Sequence, residues 1–285
     1  MLVVIRGAGD LASGIALRLH HAGFDIVMTE TAAPLSVRRT VCFSQAVYEG
    51  SARVEDVDAI LVSGEAGITE AFAKKQIAVL VDPGAAIATR IRPDALIDAV
   101  MAKKNTGTNI MDAPVIIGVG PGFTAGIDCH GVIETQRGHT LGRVITEGSA
   151  LPNTGIPGDI GGYTVERLLR CPADGLFEAL ASIGEMVKRG DTVAVIRTAK
   201  GPDGGKGTAL FQATGADAAV ELPLRAEIDG MLRGILPSGI YVKQGMKAGD
   251  VDPRCEKSHC FTVSDKALAV GGGVLEALFR FTQNR

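Results

Sequence analysis

The chain has 285 residues, of which 46% are hydrophobic, 21% charged and 4% aromatic, and its formal net charge is -3. This is the balance of an ordinary globular protein, and no basic excess points to nucleic acid or to a membrane surface. The uncharged run 113–127 contains prolines and falls short of the ~20 residues that span a bilayer. The apolar start, Leu2–Ile5, is too short for a signal peptide. We therefore expect a cytoplasmic protein.

The first predicted elements are a strand, a tight glycine turn and a helix. The apolar run Val3–Ile5 ends at Arg6, and Leu11, Ile15 and Leu19 then recur every four residues. A helix that follows such a turn directly presents unpaired N–H groups and partial positive charge, which can hold a phosphate. The alternative is that the glycines only close a tight joint. The pattern G-x-G-x-x-G/A assigns these residues to cofactor binding: Gly7, Ala8, Gly9, Asp10, Leu11, Ala12 and Gly14.

A second predicted strand places an acidic residue near this turn. The strand Phe24–Thr29 ends at Glu30, close to the roughly 20 residues after the glycines at which a carboxylate meets a ribose 2′-hydroxyl. This position favours an unphosphorylated ribose. Arg38 and Arg39 follow in the next loop, where they either clamp an anionic ligand or are simply solvated.

Further apolar runs extend the predicted sheet. The runs 58–62 and 77–81 end near Gly64 and Asp82, and 93–104 is predicted to be a closing helix. Short apolar runs that alternate with helices are typical of a parallel sheet covered on both faces. Ligands of such sheets bind at the carboxyl ends of the strands. We therefore predict a Rossmann-like nucleotide- or cofactor-binding domain over residues 1–106, with Gly64 and Asp82 at its site.

The next segment, 107–165, is predicted to be an α+β region with glycine-rich loops. Within it, 132–135 and 141–145 are expected to pair as a hairpin. Polar side chains stand beside glycines here, which is typical of loops that carry chemistry.

The polar residues of this segment allow two kinds of site. Glu134, Arg137 and His139 are candidate catalytic residues, together with Cys260 of the last segment. His130, His139 and Glu134 are of the right types for a metal site, but their spacing matches no ligand pattern. An anion site formed by Arg137, His139 and Arg143 is favoured over it.

An internal repeat occupies most of 166–254. Six residues that begin with Asp174-Gly175 recur at identical spacing 55 positions later, beginning with Asp229-Gly230. Two such copies resemble the halves of a biotinyl/lipoyl-type barrel-sandwich hybrid, which predicts a mostly β domain. Lys200 and Lys206 lie in the connection but lack the neighbours of a modified carrier lysine, so a structural or docking barrel is favoured over a swinging arm.

The last segment, 255–285, is expected to hold a helix opened by Gly271-Gly272-Gly273, which is a second candidate anion site. Cys255, His259 and Cys260 suggest zinc, but the spacing lacks a usual ligand set and no metal site is predicted. Cys260 is a candidate contact for selenium or sulfur, the alternative being a plain buried cysteine. Five scattered cysteines favour free thiols over a disulfide framework.

The motifs taken together resemble those of one family. They are Ile5–Ala12, Met28–Glu30, Arg38-Arg39, Gly120–Phe123, Val132–Arg143, Gly249–Arg254, Cys260, Ser264–Lys266 and Gly271–Ala277. In this combination the chain resembles the selenium-dependent molybdenum hydroxylase system proteins called YqeB. Its N-terminal part is similar to the Rossmann-type domain of XdhC, an accessory protein that handles the molybdenum cofactor. Cys255 and the insert after Ile196 depart from the family pattern, so only Cys260 is carried over as a selenium or sulfur contact.

The resemblance implies a cytoplasmic maturation factor for molybdenum hydroxylases that carry labile selenium. Three functions remain open. The favoured one is an accessory protein that binds a molybdopterin-type cofactor and helps install sulfur or selenium on the molybdenum of a hydroxylase apoenzyme. The second is an NAD- or FAD-dependent oxidoreductase of the same pathway, and the third is a docking scaffold without chemistry. A phosphate-bearing small molecule is the expected ligand of the first two, and a homo-oligomer is compatible with all three.

Overall fold

The computed structural model describes residues 1–155, 157–198 and 220–283. The chain divides into two compact units. The first unit joins Met1–Ile156 to Phe261–Arg285, and the second is Pro157–Cys260. The connection that contains Lys200 and Lys206 lies outside the described residues.

The first unit combines strands β1 to β9 with helices α1 to α5. In chain order these are β1 (Leu2–Arg6), α1 (Asp10–His21), β2 (Asp25–Glu30), α2 (Ala46–Glu49), β3 (Ser51–Val54), β4 (Val57–Leu61), α3 (Glu65–Ala73), β5 (Ile77–Val81), α4 (Ala88–Ile91), β6 (Ala95–Asp98), β7 (Val115–Val119), β8 (Gly131–Ile133), β9 (Val144–Ile145) and α5 (Asp265–Thr282). The predicted strand, turn, helix and second strand at the start of the chain are confirmed by β1, α1 and β2.

The strands form one mixed sheet in the order β3-β4-β5-β2-β1-β6-β7-β8-β9. Neighbours from β4 to β8 run parallel, whereas the edge strands β3 and β9 are antiparallel to β4 and β8. The carboxyl ends of the parallel strands therefore lie at one edge of the sheet. The hairpin expected within 132–145 is confirmed as the β8–β9 pair.

Helices cover both faces of the sheet. Successive residues of each central strand point to opposite faces, so each strand contributes side chains to the apolar clusters on both sides. Val3 and Ile5 of β1 belong to the apolar cluster that contains residues of α1 and α5. Val4 belongs to the opposite cluster, together with residues of α3 and α4. Continuous apolar runs are what a strand buried on both faces requires.

Helices α1 and α5 approach closely through small residues. A Cβ atom on Gly14 would lie 2.6 Å from the Cβ of Ala267, and one on Gly271 would lie 2.9 Å from the carbonyl oxygen of Gly14. A Cβ atom on Gly273 would collide with the carbonyl oxygen of Gly142. Larger side chains at these positions would force the helix off the sheet, so Gly14 contributes to helix packing.

The prediction that Gly271-Gly272-Gly273 open the last helix is wrong. Helix α5 begins at Asp265, and the Ser264 hydroxyl caps it by accepting a hydrogen bond from the Ala267 N–H at 3.2 Å. The glycines lie inside α5, where each costs roughly 1 kcal/mol relative to alanine. Glycine is needed at 271 and 273 because the backbone of Gly14 and of Gly142 approaches the helix closely at these two positions.

The second unit is built of short strands. They are β10 (Leu168–Arg170), β11 (Gly175–Ala179), β12 (Met186–Val187), β13 (Thr192–Thr198), β14 (Val220–Arg225), β15 (Gly230–Ile235), β16 (Tyr241–Val242) and β17 (Lys247–Asp252). They form two antiparallel sheets with the orders β10-β17-β15-β12 and β14-β13-β11-β16. Each copy of the sequence repeat contributes one strand to each sheet, because β11 pairs with β16 and β12 with β15.

The aspartate at the start of each repeat copy has the same structural role in both copies. The Asp174 carboxylate accepts a hydrogen bond from the Gln244 N–H at 2.7 Å. The Asp229 carboxylate accepts one from the Arg189 N–H at 2.7 Å. These two bonds are related by the 55-residue offset of the repeat, so each copy fixes a turn of the other.

The predicted fold class is wrong. A Rossmann-like sheet limited to the N-terminal part does not form, because β7, β8 and β9 of the middle segment continue the same mixed sheet. The physical reason is that β7 is buried along its whole length and needs β6 on one side and β8 on the other. The repeat region forms two four-stranded antiparallel sheets and not a clear barrel-sandwich hybrid. The closing helix predicted for 93–104 is also wrong, since β6 lies there.

Within the described residues, none of the helices has the length and apolar character needed to cross a membrane.

The packing of α5 predicts opposite effects for neighbouring glycines. Replacing Gly271 or Gly273 by alanine should lower the free energy of unfolding by about 1–3 kcal/mol, because the added methyl group meets backbone atoms. Gly272→Ala is the matched control: a Cβ atom there meets nothing within 4 Å, so the change should raise stability by up to about 1 kcal/mol. Urea denaturation measures both, and equal effects at the three positions would contradict this packing.

Candidate functional site

A cavity of about 600 Å³ lies at the carboxyl ends of four neighbouring strands, β5, β2, β1 and β6. Its walls come from the turn between β1 and α1, from the loop after β2 and from the residues after β5 and β6. The lining residues are Arg6, Gly7, Gly9, Asp10, Leu11, Thr29, Glu30, Thr31, Leu35, Ser36, Pro83, Ala99, Val100 and Met101. We call this the strand-end cavity.

The glycine turn shapes one wall of the cavity. Gly7 has a φ of +99°, and a Cβ atom there would lie 3.1 Å from the Ala99 carbonyl oxygen. Glycine is therefore required at this position. Gly9 has an ordinary φ of -75° and is the N-cap of α1, with no side chain to cap it. The first N–H groups of a helix have no partner within that helix, which makes the start of α1 a candidate anion site.

Glu30 folds back over the glycine turn. One carboxylate oxygen accepts a hydrogen bond from the Ala8 N–H at 3.0 Å, and the other accepts from the Thr31 N–H at 2.7 Å. A carboxylate has about four acceptor sites, so Glu30 can still accept hydrogen bonds from ligand hydroxyls. Its own negative charge beside the turn disfavours a phosphate at that spot.

The two arginines expected to clamp the ligand lie elsewhere. Arg38 is buried, and its guanidinium donates to the Asp10 carboxylate at 2.8 Å and to the Thr262 carbonyl at 2.9 Å. Arg38 itself does not line the strand-end cavity, whereas its partner Asp10 does. Arg39 lines a separate cavity of about 290 Å³ together with Cys42, and burial lowers the pKa of its guanidinium.

Arg6 lines the cavity and is paired with the buried Asp98, and neither residue is among the site residues predicted from the sequence. The Arg6 guanidinium donates to the buried Asp98 carboxylate at 3.0 Å and to the Pro83 carbonyl at 2.9 Å. The Thr108 hydroxyl also donates to Asp98, at 2.6 Å. These bonds fasten the loops after β5 and β6. Asp98 ends β6, so recognising that strand from the sequence would have placed this carboxylate at the strand ends.

The structure brings together only part of the predicted cofactor-binding set. Gly7, Gly9, Asp10, Leu11 and Glu30 line the strand-end cavity, whereas Ala8, Ala12, Gly14, Arg38, Arg39, Gly64 and Asp82 do not. Asp82 accepts a hydrogen bond from the Ile87 N–H at 2.8 Å and so closes its own turn. Gly64 is the N-cap of α3. The hydroxyl residues Thr29 and Ser36, which line the cavity, carried no motif in the sequence.

The predicted catalytic residues of the middle segment lie around the start of α5. The Glu134 carboxylate is buried and accepts hydrogen bonds from the N–H groups of Thr135, Gln136 and Leu151 at 2.7, 2.7 and 2.9 Å. A carboxylate held in this way organises the loop and is not placed as a base.

Arg137 and His139 are on the surface of the same region. Arg137 makes a bidentate ion pair with Asp265, the first residue of α5, at 2.7 and 2.8 Å. His139 is exposed. Burial lowers the pKa of Lys266, the charge of Arg137 lowers it further, and the charge of Asp10 opposes the shift. None of these residues except Asp10 lines the strand-end cavity.

The residues considered as metal ligands do not converge. The Nδ1 atom of His130 accepts a hydrogen bond from the Ile116 N–H at 3.0 Å. Cys260 is fully buried in the second unit, and Cys255 is exposed. Among the residues that the structure describes, no three or more His, Cys, Asp or Glu side chains form a group able to hold a metal ion.

A second large cavity, of about 520 Å³, lies near the beginnings of β6 and β7. Its walls include Arg92, Met111 and His130. It is open, and it lies at the sheet edge opposite to the glycine turn. The strand-end cavity is therefore the better candidate, because ligands of parallel sheets bind at the carboxyl ends of the strands.

These features define an α/β protein with a cavity above its parallel strands. Solved structures with some similarity include an aspartoacylase family protein from Mesorhizobium loti, with 11% identity, covering 82% of this chain and 58% of that one at a TM-score of 0.24. A second is a succinylglutamate desuccinylase/aspartoacylase from Rhodobacter sphaeroides, with 14% identity, covering 87% of this chain and 86% of that one at a TM-score of 0.24. Scores this low support no assignment. No family model matches the chain.

Sequence similarity is much stronger to one curated protein. The chain is 46% identical over 277 residues to the Escherichia coli (strain K12) protein described as "Uncharacterized protein YqeB". The match covers 97% of this chain and 47% of that protein, so the chain spans about half the length of its relative. The chain is thus a relative of YqeB over nearly its whole length, which supports the resemblance to that family drawn from its motifs.

The burial of the cysteines predicts one reactive thiol in the folded protein. Cys255 is exposed, whereas Cys42, Cys129, Cys171 and Cys260 are buried. Burial also raises the pKa of the Cys42 thiol and raises that of Cys129 to about 11. Ellman's reagent should therefore modify Cys255 rapidly and the other four only after unfolding.

The variant Cys255→Ser is the control, and it should show no rapid reaction. A rapidly reacting Cys260 in that variant would contradict its burial and would restore it as a selenium or sulfur contact.

Proposed function

We propose that this protein is an accessory factor that binds a phosphate-bearing cofactor in the strand-end cavity and serves the maturation of selenium-dependent molybdenum hydroxylases in the cytoplasm. The observation that carries the proposal is the cavity of about 600 Å³ against the N-terminus of α1. Sites for small molecules usually measure about 300–1,000 Å³ and are mostly apolar with a few polar groups. Leu11, Leu35, Val100 and Met101 supply that apolar surface here.

The phosphate would bind at the start of α1. Because Gly9 has no side chain, a ligand can approach the backbone at the helix N-terminus, and the helix dipole adds partial positive charge there. Glu30 and the Thr29 hydroxyl would contact the hydroxyl or ring groups of the same ligand. Arg6 would not contact the phosphate directly, because its donors already bind Asp98 and the Pro83 carbonyl.

The pathway and the partner are proposed from family resemblance. Support comes from the 46% identity to YqeB and from the resemblance of the chain's motifs to those of the molybdenum hydroxylase system proteins and of XdhC. The partner would be a molybdenum hydroxylase apoenzyme. Because the chain spans only about half of that relative, the activity and the partner of the whole protein are proposals for this chain.

The second candidate function is an NAD- or FAD-dependent oxidoreductase. The position of Glu30 at the end of β2 favours it, since a carboxylate there suits an unphosphorylated ribose. Against it, Glu134, Arg137 and His139 do not line the strand-end cavity, so the predicted proton-transfer groups are absent from the site. Binding without redox chemistry is therefore the better-supported function.

Ligand-dependent thermal stability tests the proposal. Purified protein is mixed in turn with molybdopterin, NAD and FAD. At about 100 Kd a ligand should raise the melting temperature by roughly 5–10 °C. Stabilisation by molybdopterin alone supports the first function, stabilisation by a dinucleotide alone supports the second, and no stabilisation by any of the three contradicts both.

Two glycine variants show whether the ligand occupies the strand-end cavity. Gly9→Leu should abolish the shift, because the side chain fills the cavity while the φ of -75° tolerates any residue. Gly64→Leu is the matched control, since Gly64 is also a helix N-cap but lies outside the cavity and a Cβ atom there meets nothing within 4 Å. An unchanged shift in Gly9→Leu would rule out this site.

A further inference from the structure

The strand-end cavity lacks an obvious counter-charge for a phosphate. Its described lining contains two carboxylates, Asp10 and Glu30, and one basic residue, Arg6. The Arg6 guanidinium is committed to Asp98, which is buried, and to the Pro83 carbonyl. The described side chains that line the cavity therefore carry net negative charge, and the one cation among them, Arg6, is already paired.

The buried Arg38 does not supply the missing positive charge for a phosphate. Arg38 lies behind Asp10 and donates to one of its carboxylate oxygens, Oδ2, at 2.8 Å. Since Asp10 is the first residue of α1 and lines the cavity, a phosphate there would meet the Asp10 carboxylate before it met Arg38. The ion pair fixes Asp10 in place, so Arg38 is a positioning residue.

Two oxygen atoms at the cavity have no hydrogen-bond partner in the described part of the chain. One is the Oδ1 atom of Asp10, which is buried although the rest of the carboxylate is partly exposed. The other is the hydroxyl of Thr29, a lining residue that is 1% exposed. Buried polar atoms without partners are costly and point to a missing ion, water or ligand. Both atoms are oxygens, and both can coordinate a cation.

We propose that the strand-end cavity binds its phosphate-bearing ligand together with a divalent cation of the Mg²⁺ class, held by Asp10. The proposal rests on the function proposed above. Mg²⁺ prefers oxygen ligands, keeps several waters and is commonly bound by one or two carboxylates plus phosphate oxygens of the ligand. Asp10 Oδ1 would be the carboxylate ligand, with Glu30 and the Thr29 hydroxyl next to the bound waters.

In this arrangement the cation offsets the charge of the phosphate itself. The cation bears two positive charges, a phosphate monoester bears about -1.5 to -2 near neutral pH, and the Asp10 charge is already balanced by Arg38. The cavity lining includes two acidic side chains, Asp10 and Glu30, and the ligand would supply the remaining oxygens. An all-protein cage is not needed for Mg²⁺.

The test compares ligand binding with and without the cation. Calorimetry measures the affinity of the wild-type protein for molybdopterin, NAD and FAD in Mg²⁺ and in EDTA, with Mg²⁺ alone as a further titrant. The affinity for the bound ligand should fall at least about tenfold in EDTA, and Mg²⁺ alone should bind much more weakly than it does with the ligand. When Mn²⁺ replaces Mg²⁺, the ³¹P resonance of the bound ligand should broaden, because the ion lies beside the phosphate.

Two substitutions assign the effect to Asp10. In Asp10→Asn the affinity should no longer depend on Mg²⁺. Asp25→Asn is the matched control: it makes the same change of charge at the first residue of β2, at the opposite sheet edge, and should keep the dependence. The wild-type comparison in Mg²⁺ and EDTA needs no substitution, so a folding defect in Asp10→Asn leaves the test decisive.

The possible failures are distinguishable. Equal ligand affinity in Mg²⁺ and EDTA would overturn the cation site and leave the proposed function standing. In that case the partner of Asp10 Oδ1 is a donor group of the ligand. No binding of any of the three ligands in either condition would overturn both.

Discussion

The left-handed backbone of Gly7 is the constraint on which the strand-end cavity depends. With a φ of +99° the chain leaves β1 and turns directly into α1, while the Gly7 N–H still donates to the Thr29 carbonyl at 2.8 Å and so ties the turn to β2. This turn sets the start of α1 above the sheet edge at which the parallel strands end. A residue with a Cβ atom at this position would strain the backbone and press against Ala99.

Two ion pairs near this turn show which charged groups hold the protein together and which can contact a ligand. Arg6 with Asp98 fastens the loops after β5 and β6, and Arg38 with Asp10 fastens the start of α1. Both arginines therefore form ion pairs within the protein. What remains for a ligand is the set of N–H groups of α1, the spare acceptor sites of Glu30 and the oxygens of Asp10 and Thr29. A site of this composition suits a ligand with hydroxyls and a phosphate, provided that a cation accompanies the phosphate.

Local patterns predicted only part of this arrangement. The strand, glycine turn and helix are encoded within residues 2–21, and Glu30 follows from the length of one helix and one strand. One of the partners of Arg38 is Thr262, which is 224 positions away, so no local pattern shows that this arginine is buried. The glycine run 271–273 disfavours an isolated helix but fits α5, because Gly14 and Gly142 pack against it. In the same way β6 is only four residues long and gains its stability from its neighbours in the sheet.

Hydrogen–deuterium exchange tests the location of the binding site most directly. The measurement compares the protein alone with the protein saturated by whichever of molybdopterin, NAD and FAD stabilises it most. We expect slower exchange in three stretches that form the strand-end cavity, 7–11, 29–36 and 99–101. Protection confined to 88–93 and 110–114, where the second cavity lies, would contradict it, as would unchanged exchange throughout.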